Sequence, residues 1–192
     1  MKYFKFAALL MVLCLAMTGC GSKEEPTTEA TTIEEPVDGG MGMVNPWQDC
    51  TEEEAKAECP HLFKAPDGAE DVKWSLMTNQ AEGHEKDSKL VQMTFKLDGN
   101  EFCARAQQGI AESEEIHGMY YTWTATDDTT LANWGGGEMK AKTYRAVTDE
   151  EMADVITWYD SENSISYSLS VAAKDLDGFD IRAIAEQMYS GE

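Results

Sequence analysis

Three histidines, five cysteines and 36 carboxylates are the groups in this chain that could carry chemistry, and their spacing limits what they can do. His84-Glu85 opens like a zinc-peptidase helix, but Ser88 stands where the second histidine must be, so that site is incomplete. His61 follows Cys59-Pro60 and, with Met41, Met43 and Cys50, offers a set of soft-metal donors with no recognised spacing. His117 precedes Gly118 and reads as a surface residue. Asp175-Leu176-Asp177-Gly178-Phe179-Asp180 begins like a calcium loop, with Glu186 at the twelfth place. Phe179 nevertheless falls on a ligand position, and Asp180 falls where the sharp turn needs glycine. Gly135-Gly136-Gly137 lacks the Gly-Lys-Ser/Thr ending of a phosphate loop, and no Gly-x-Ser-x-Gly elbow occurs. The sequence therefore predicts no catalytic residue, metal or cofactor.

Cys50, Cys59 and Cys103 are the cysteines of the chain's main body. A helix over 52–58 would hold Cys50 and Cys59 roughly 12–14 Å apart, beyond the span of about 7 Å that a disulfide tolerates. Any bridge is expected to join Cys103 to one of them, with Cys59 favoured; the alternative is three reduced thiols. No pattern places a histidine to activate a thiol. The remaining chemistry is aromatic. Tyr121, Trp123 and Trp134, near Asp127, Asp128 and Asn133, are the candidate ligand-facing side chains for stacking a sugar or holding a peptide. The competing expectation is that they fill the core.

The elements that position these residues follow from periodicity. Thr51 and Glu54 have capping-box spacing and open a short helix that must end at or before Cys59, ahead of Pro60. Alternation of apolar and polar residues predicts strands at Val72–Leu76, Val91–Leu97, Phe102–Ala106 and Ile165–Val171, with Asp98-Gly99 as a two-residue hairpin turn. Composition adds strands at 119–126, 139–147 and 152–159. In the last strand, Ser164, Ser166, Ser168 and Ser170 alternate with apolar residues, as expected of a half-exposed strand. Asp177 can cap a closing helix whose apolar face is Ile181, Ile184, Ala185 and Met188. The fold class is α+β: an antiparallel sheet of six to seven strands, with a short N-terminal helix and a C-terminal helix packed on one face.

Charge and the N-terminus bear on location. Fifteen basic against 36 acidic side chains give −21, which argues against nucleic acid and against electrostatic adsorption to anionic lipid. Lys2 and Lys5 precede a twelve-residue apolar run, Phe6 to Met17, too short to span a bilayer but suited to a signal peptide. Met17-Thr18-Gly19-Cys20 then resembles the lipobox of bacterial lipoproteins, with Met in place of the usual Leu. The resemblance implies cleavage after residue 19 and lipidation of Cys20. Membrane attachment through that lipid, on the outer face of the cytoplasmic membrane of a Gram-positive-type cell, would follow. Residues 20–44 are rich in Glu, Thr, Pro and Gly and read as an extended tether with a reach of about 25–30 Å. Residues 45–192 form the single globular domain. Loss of Lys2 and Lys5 leaves 13 basic against 36 acidic residues in the mature chain, a net −23.

Trp158-Tyr159-Asp160, Tyr167-Ser168-Leu169-Ser170, Asp177-Gly178-Phe179-Asp180 and Ala183-Ile184-Ala185-Glu186 together resemble the C-terminal part of uncharacterised lipoproteins of clostridial-type Firmicutes. Asn45-Pro46-Trp47 and Met119-Tyr120-Tyr121 fit the same group. That resemblance implies a small sheet-plus-helix module and no known activity. The expectation is a non-enzymatic, lipid-anchored extracytoplasmic module binding an unidentified ligand or protein at the cell envelope. A wall hydrolase using paired carboxylates and a metal-binding lipoprotein are the alternatives.

Overall fold

A computed structural model describes residues 45–78 and 88–191. The lipobox, Cys20, the tether, Met41, Met43 and His84-Glu85 lie outside the described residues. The chain runs β1 (Trp47–Cys50), α1 (Glu52–Glu58), β2 (Glu70–Met77), β3 (Val91–Leu97), β4 (Asn100–Gln108), β5 (Ala125–Leu131), β6 (Met139–Val147), β7 (Met152–Asp160), β8 (Ile165–Ala173) and α2 (Ile181–Gln187). All eight strands join one antiparallel sheet in the order β1-β2-β3-β4-β8-β7-β6-β5. Two four-stranded meanders thus meet at the β4–β8 seam. The link between them, residues 109–124, leaves the middle of the sheet and reaches its far edge.

Local chemistry explains the element ends. The Thr51 hydroxyl accepts from Glu54 N–H (3.2 Å), and the Glu54 carboxylate accepts from Thr51 N–H (2.8 Å), completing the capping box. Asp98 and Gly99 both adopt positive φ (51° and 82°), the geometry of the two-residue turn that suits the strand twist. The Asp160 carboxylate accepts from Glu162 and Asn163 N–H and fixes the β7–β8 hairpin.

Four expectations need correction. Among the described residues the strands number eight rather than six to seven; the unexpected one, β1, is only four residues of mixed polarity and carries no alternation that would announce it. The strand expected at 119–126 is not there: residues 119–123 are irregular and β5 begins at Ala125. Its Ala-Thr-Asp-Asp sequence is a poor strand former that pairing with β6 holds extended. Asp180, not Asp177, caps α2 by accepting from Arg182 N–H (3.0 Å). Asp177 instead donates its own N–H to the Asp175 carboxylate in the preceding turn. The serine row of β8 is buried rather than half-exposed, with Ser168 only 1% accessible.

The core lies on one face of the sheet. Met93, Phe95, Phe102, Ile156, Trp158 and Leu169 pack there against Ala55 from α1 and against Ile184 and Ala185 from α2. Lys64 N–H donates to Met188 O (2.9 Å), and the Tyr167 hydroxyl donates to His61 O (2.6 Å), tying the chain after α1 to α2 and to β8. Burial pushes the Tyr167 hydroxyl well above the usual phenol range.

Candidate functional site

The second face of the sheet holds the candidate site, since residues 109–124 lie across it as a strap. Cross-strand register sets a polar row here: Lys142, Thr157, Ser168, Arg105 and Gln92 are successive partners on β6, β7, β8, β4 and β3. A polar sheet face is buried only if something covers it, and the strap does so through a few anchors. Arg105 donates through Nε to the Gln92 side chain (3.0 Å) and through a terminal guanidinium nitrogen to Ile116 O (3.0 Å). Its guanidinium carbon also sits 5.1 Å from the centre of the Trp47 ring. Ile110 and Ile116 of the strap pack with Leu90, Trp47 and Met77 in a small separate apolar cluster. The buried Ser168 hydroxyl has no hydrogen-bond partner among the described residues.

His117 is the strap's central pin and is 5% exposed, not the surface residue expected. Its Nδ1 accepts from Met119 N–H (3.0 Å), which assigns the ring proton to Nε2. Among the described residues Nε2 has no hydrogen-bond partner, and a Glu115 carboxylate oxygen lies 3.8 Å away. Burial holds the imidazole pKa below its usual range; Glu115 pulls it up, and Arg105 adds to the lowering. The ring meets Trp123 edge-on at 5.9 Å and Tyr144 at 6.3 Å, and Trp123 lies 5.4 Å from Tyr144. Tyr121 lies 5.9 Å from Trp123, and its hydroxyl donates to Glu151 (2.6 Å), a bond that raises its pKa. Gly118 sits at φ +67°, and a Cβ there would meet the Arg105 guanidinium at 2.1 Å.

Beside this aromatic cluster, strap and sheet enclose a groove of about 370 Å³. Glu112, Glu114 and Glu115 come from the strap and Asp128 from β5, while Lys140 and Lys142 come from β6; Tyr144 and Tyr159 also line it. Lys142 leans over the Tyr144 ring at 5.7 Å. Chemically the groove offers charges of both signs together with aromatic surface.

The structure separates the three aromatic candidates. Tyr121 and Trp123 come together on the strap side. Trp134 belongs to the core instead: its indole N–H donates to Ala185 O (2.9 Å), and its ring packs within 4.9–5.4 Å of Trp158, Tyr167 and Tyr189. Of the two cysteine expectations, a bridge to Cys103 or three reduced thiols, the structure has the second. Cys50, Cys59 and Cys103 are free thiols. Cys59 sits in the core, whereas Cys103 pairs with Thr94 and Ser170 on the strap face, so the sheet separates the two sulfurs. Burial pushes the Cys59 thiol up to about 12, which makes it a poor nucleophile and a poor ligand.

A second polar site is architectural. Asp154 is 3% exposed and takes a two-pronged contact from Arg145 (2.7 and 2.5 Å), whose guanidinium also donates to Leu176 O and Phe179 O. It locks the turn before α2 onto β6 and β7. Among the described residues, no three His, Cys, Asp or Glu side chains gather as metal ligands. The roles of His117 and Arg105 were not readable from sequence, because register and the path of a connecting segment bring them together. Against protein families, curated proteins and solved structures, the chain finds no match.

Proposed function

We propose that this chain is a lipid-anchored lipoprotein on the outer face of the cytoplasmic membrane whose body binds an envelope ligand or partner. Cys20 is the attachment point, and the acidic tether carries the body clear of the lipid headgroups. The likeness to clostridial-type lipoproteins supports that placement. The observation that carries the binding reading is the groove between strap and sheet, which Glu112, Glu114 and Glu115 line together with Lys140, Lys142 and Tyr144. Binding without turnover is the reading proposed; the hydrolase is its alternative, because Glu112, Glu114, Glu115 and Asp128 share the groove with Tyr144 and Tyr159. Titrating the protein with soluble wall fragments, followed by NMR, tests this. Resonances of Lys142, Tyr144 and Trp123 are expected to shift while the fragments stay intact. Shifts confined to other surfaces would refute the groove, and cleavage of the fragments would replace the reading with the hydrolase one.

A further inference from the structure

An open sheet has two edges, and here they differ. β1 is four residues long. β5 offers seven residues, Ala125–Leu131, in unbroken register with β6 from Ala125↔Arg145 to Leu131↔Met139. Among the described residues no strand pairs with its outer side. Natural edges are usually blunted by charged side chains, above all lysine, or by proline, a bulge or shortness; β5 has no lysine, proline or bulge, and its only charges are the adjacent carboxylates Asp127 and Asp128. Three of its residues are threonine, a good strand former, and Ala125 to Asp128 are all exposed.

We infer that the β5 edge is a strand-addition surface for an extended, Lys/Arg-bearing segment of a partner protein. Asp127 and Asp128 are adjacent, so they project to opposite faces of the sheet and present a carboxylate above and below any strand laid alongside. Lys142, the cross-strand neighbour of Asp128, is turned toward the Tyr144 ring. Backbone pairing supplies the affinity and the two carboxylates select a basic partner. A second copy of this chain is the wrong occupant. Antiparallel β5–β5 pairing centred on Asp128 would set that carboxylate directly against its twin, and two bodies of the same strong negative charge would approach each other.

The test uses the full chain in detergent and an acetylated, amidated peptide, Thr-Val-Lys-Lys-Val-Thr. Its control has the same side chains with alternate backbone amides N-methylated, which keeps the charge and removes the donors. The expected result is slowed hydrogen exchange at β5 amides with the first peptide. Binding should weaken by roughly tenfold or more both with the N-methylated control and in the Asp127→Asn/Asp128→Asn variant, whose exposed sites leave folding intact. Equal binding of both peptides would show general attraction to an acidic protein and overturn the inference. Unchanged β5 exchange, or a dimer joined through β5 without peptide, would overturn it too.

Discussion

His117 is the side chain whose ionisation most directly touches the strap. Its Nδ1 accepts from Met119 N–H only while the ring is neutral, and the ring is buried between Trp123 and Tyr144. Because the folded-state pKa is depressed, the folded protein binds fewer protons than the unfolded chain around the ordinary histidine value of about 6.5. The contribution of neutral His117 to stability is therefore complete above that value and is lost as pH falls below it. Urea unfolding from about pH 7.5 to 5.5 should show a decline that is shallower in His117→Gln; equal slopes would contradict this. Arg145→Ala removes the partner of buried Asp154 and should cost about 3–5 kcal/mol. A loss below about 1 kcal/mol would mean that the pair behaves like a surface contact.

The strap's conformation is set by Gly118 and Arg105 together. Gly118→Ala combines a positive φ with a collision against the guanidinium and should destabilise by about 1–3 kcal/mol. It should also raise the exchange rate of amides in 110–123 more than those of β7. Uniform acceleration would show that the strap is not a separable unit. At the helices, Thr51→Ala removes the cap of α1 and should cost about 1 kcal/mol, read from a denaturant midpoint. Most elements were legible in the sequence where a periodic pattern met a clear terminator, as in the capping box, the Asp98-Gly99 turn and β8. The strap misled that reading because Met119 to Trp123 have strand-forming types without a partner strand. β5 misled it in the opposite sense, since its pairing comes from β6. Burial of Ser166, Ser168 and Ser170 was hidden for the same reason: alternation reports two different faces, not what covers the polar one.

At the scale of the molecule, the body carries its apolar core on one sheet face and a polar face under a strap on the other, with an acidic edge at β5. The sequence singled out Tyr121 and Trp123 by type, as aromatic residues near acids, and the structure places them together beside Tyr144. Arg105, His117 and the lysines of β6 became part of it only through strand order. The proposed function places this body outside the cytoplasm on a lipid tether, with the remaining surface acidic and well solvated. That placement rests on Cys20. Its most direct test is metabolic labelling of cells with an alkyne fatty acid, comparing the native chain with Cys20→Ser. The native chain is expected to be labelled and to sediment with membranes, while Cys20→Ser is expected to be unlabelled and not retained through a lipid. An unlabelled native chain, or a Cys20→Ser variant labelled and held to the same extent, would contradict it.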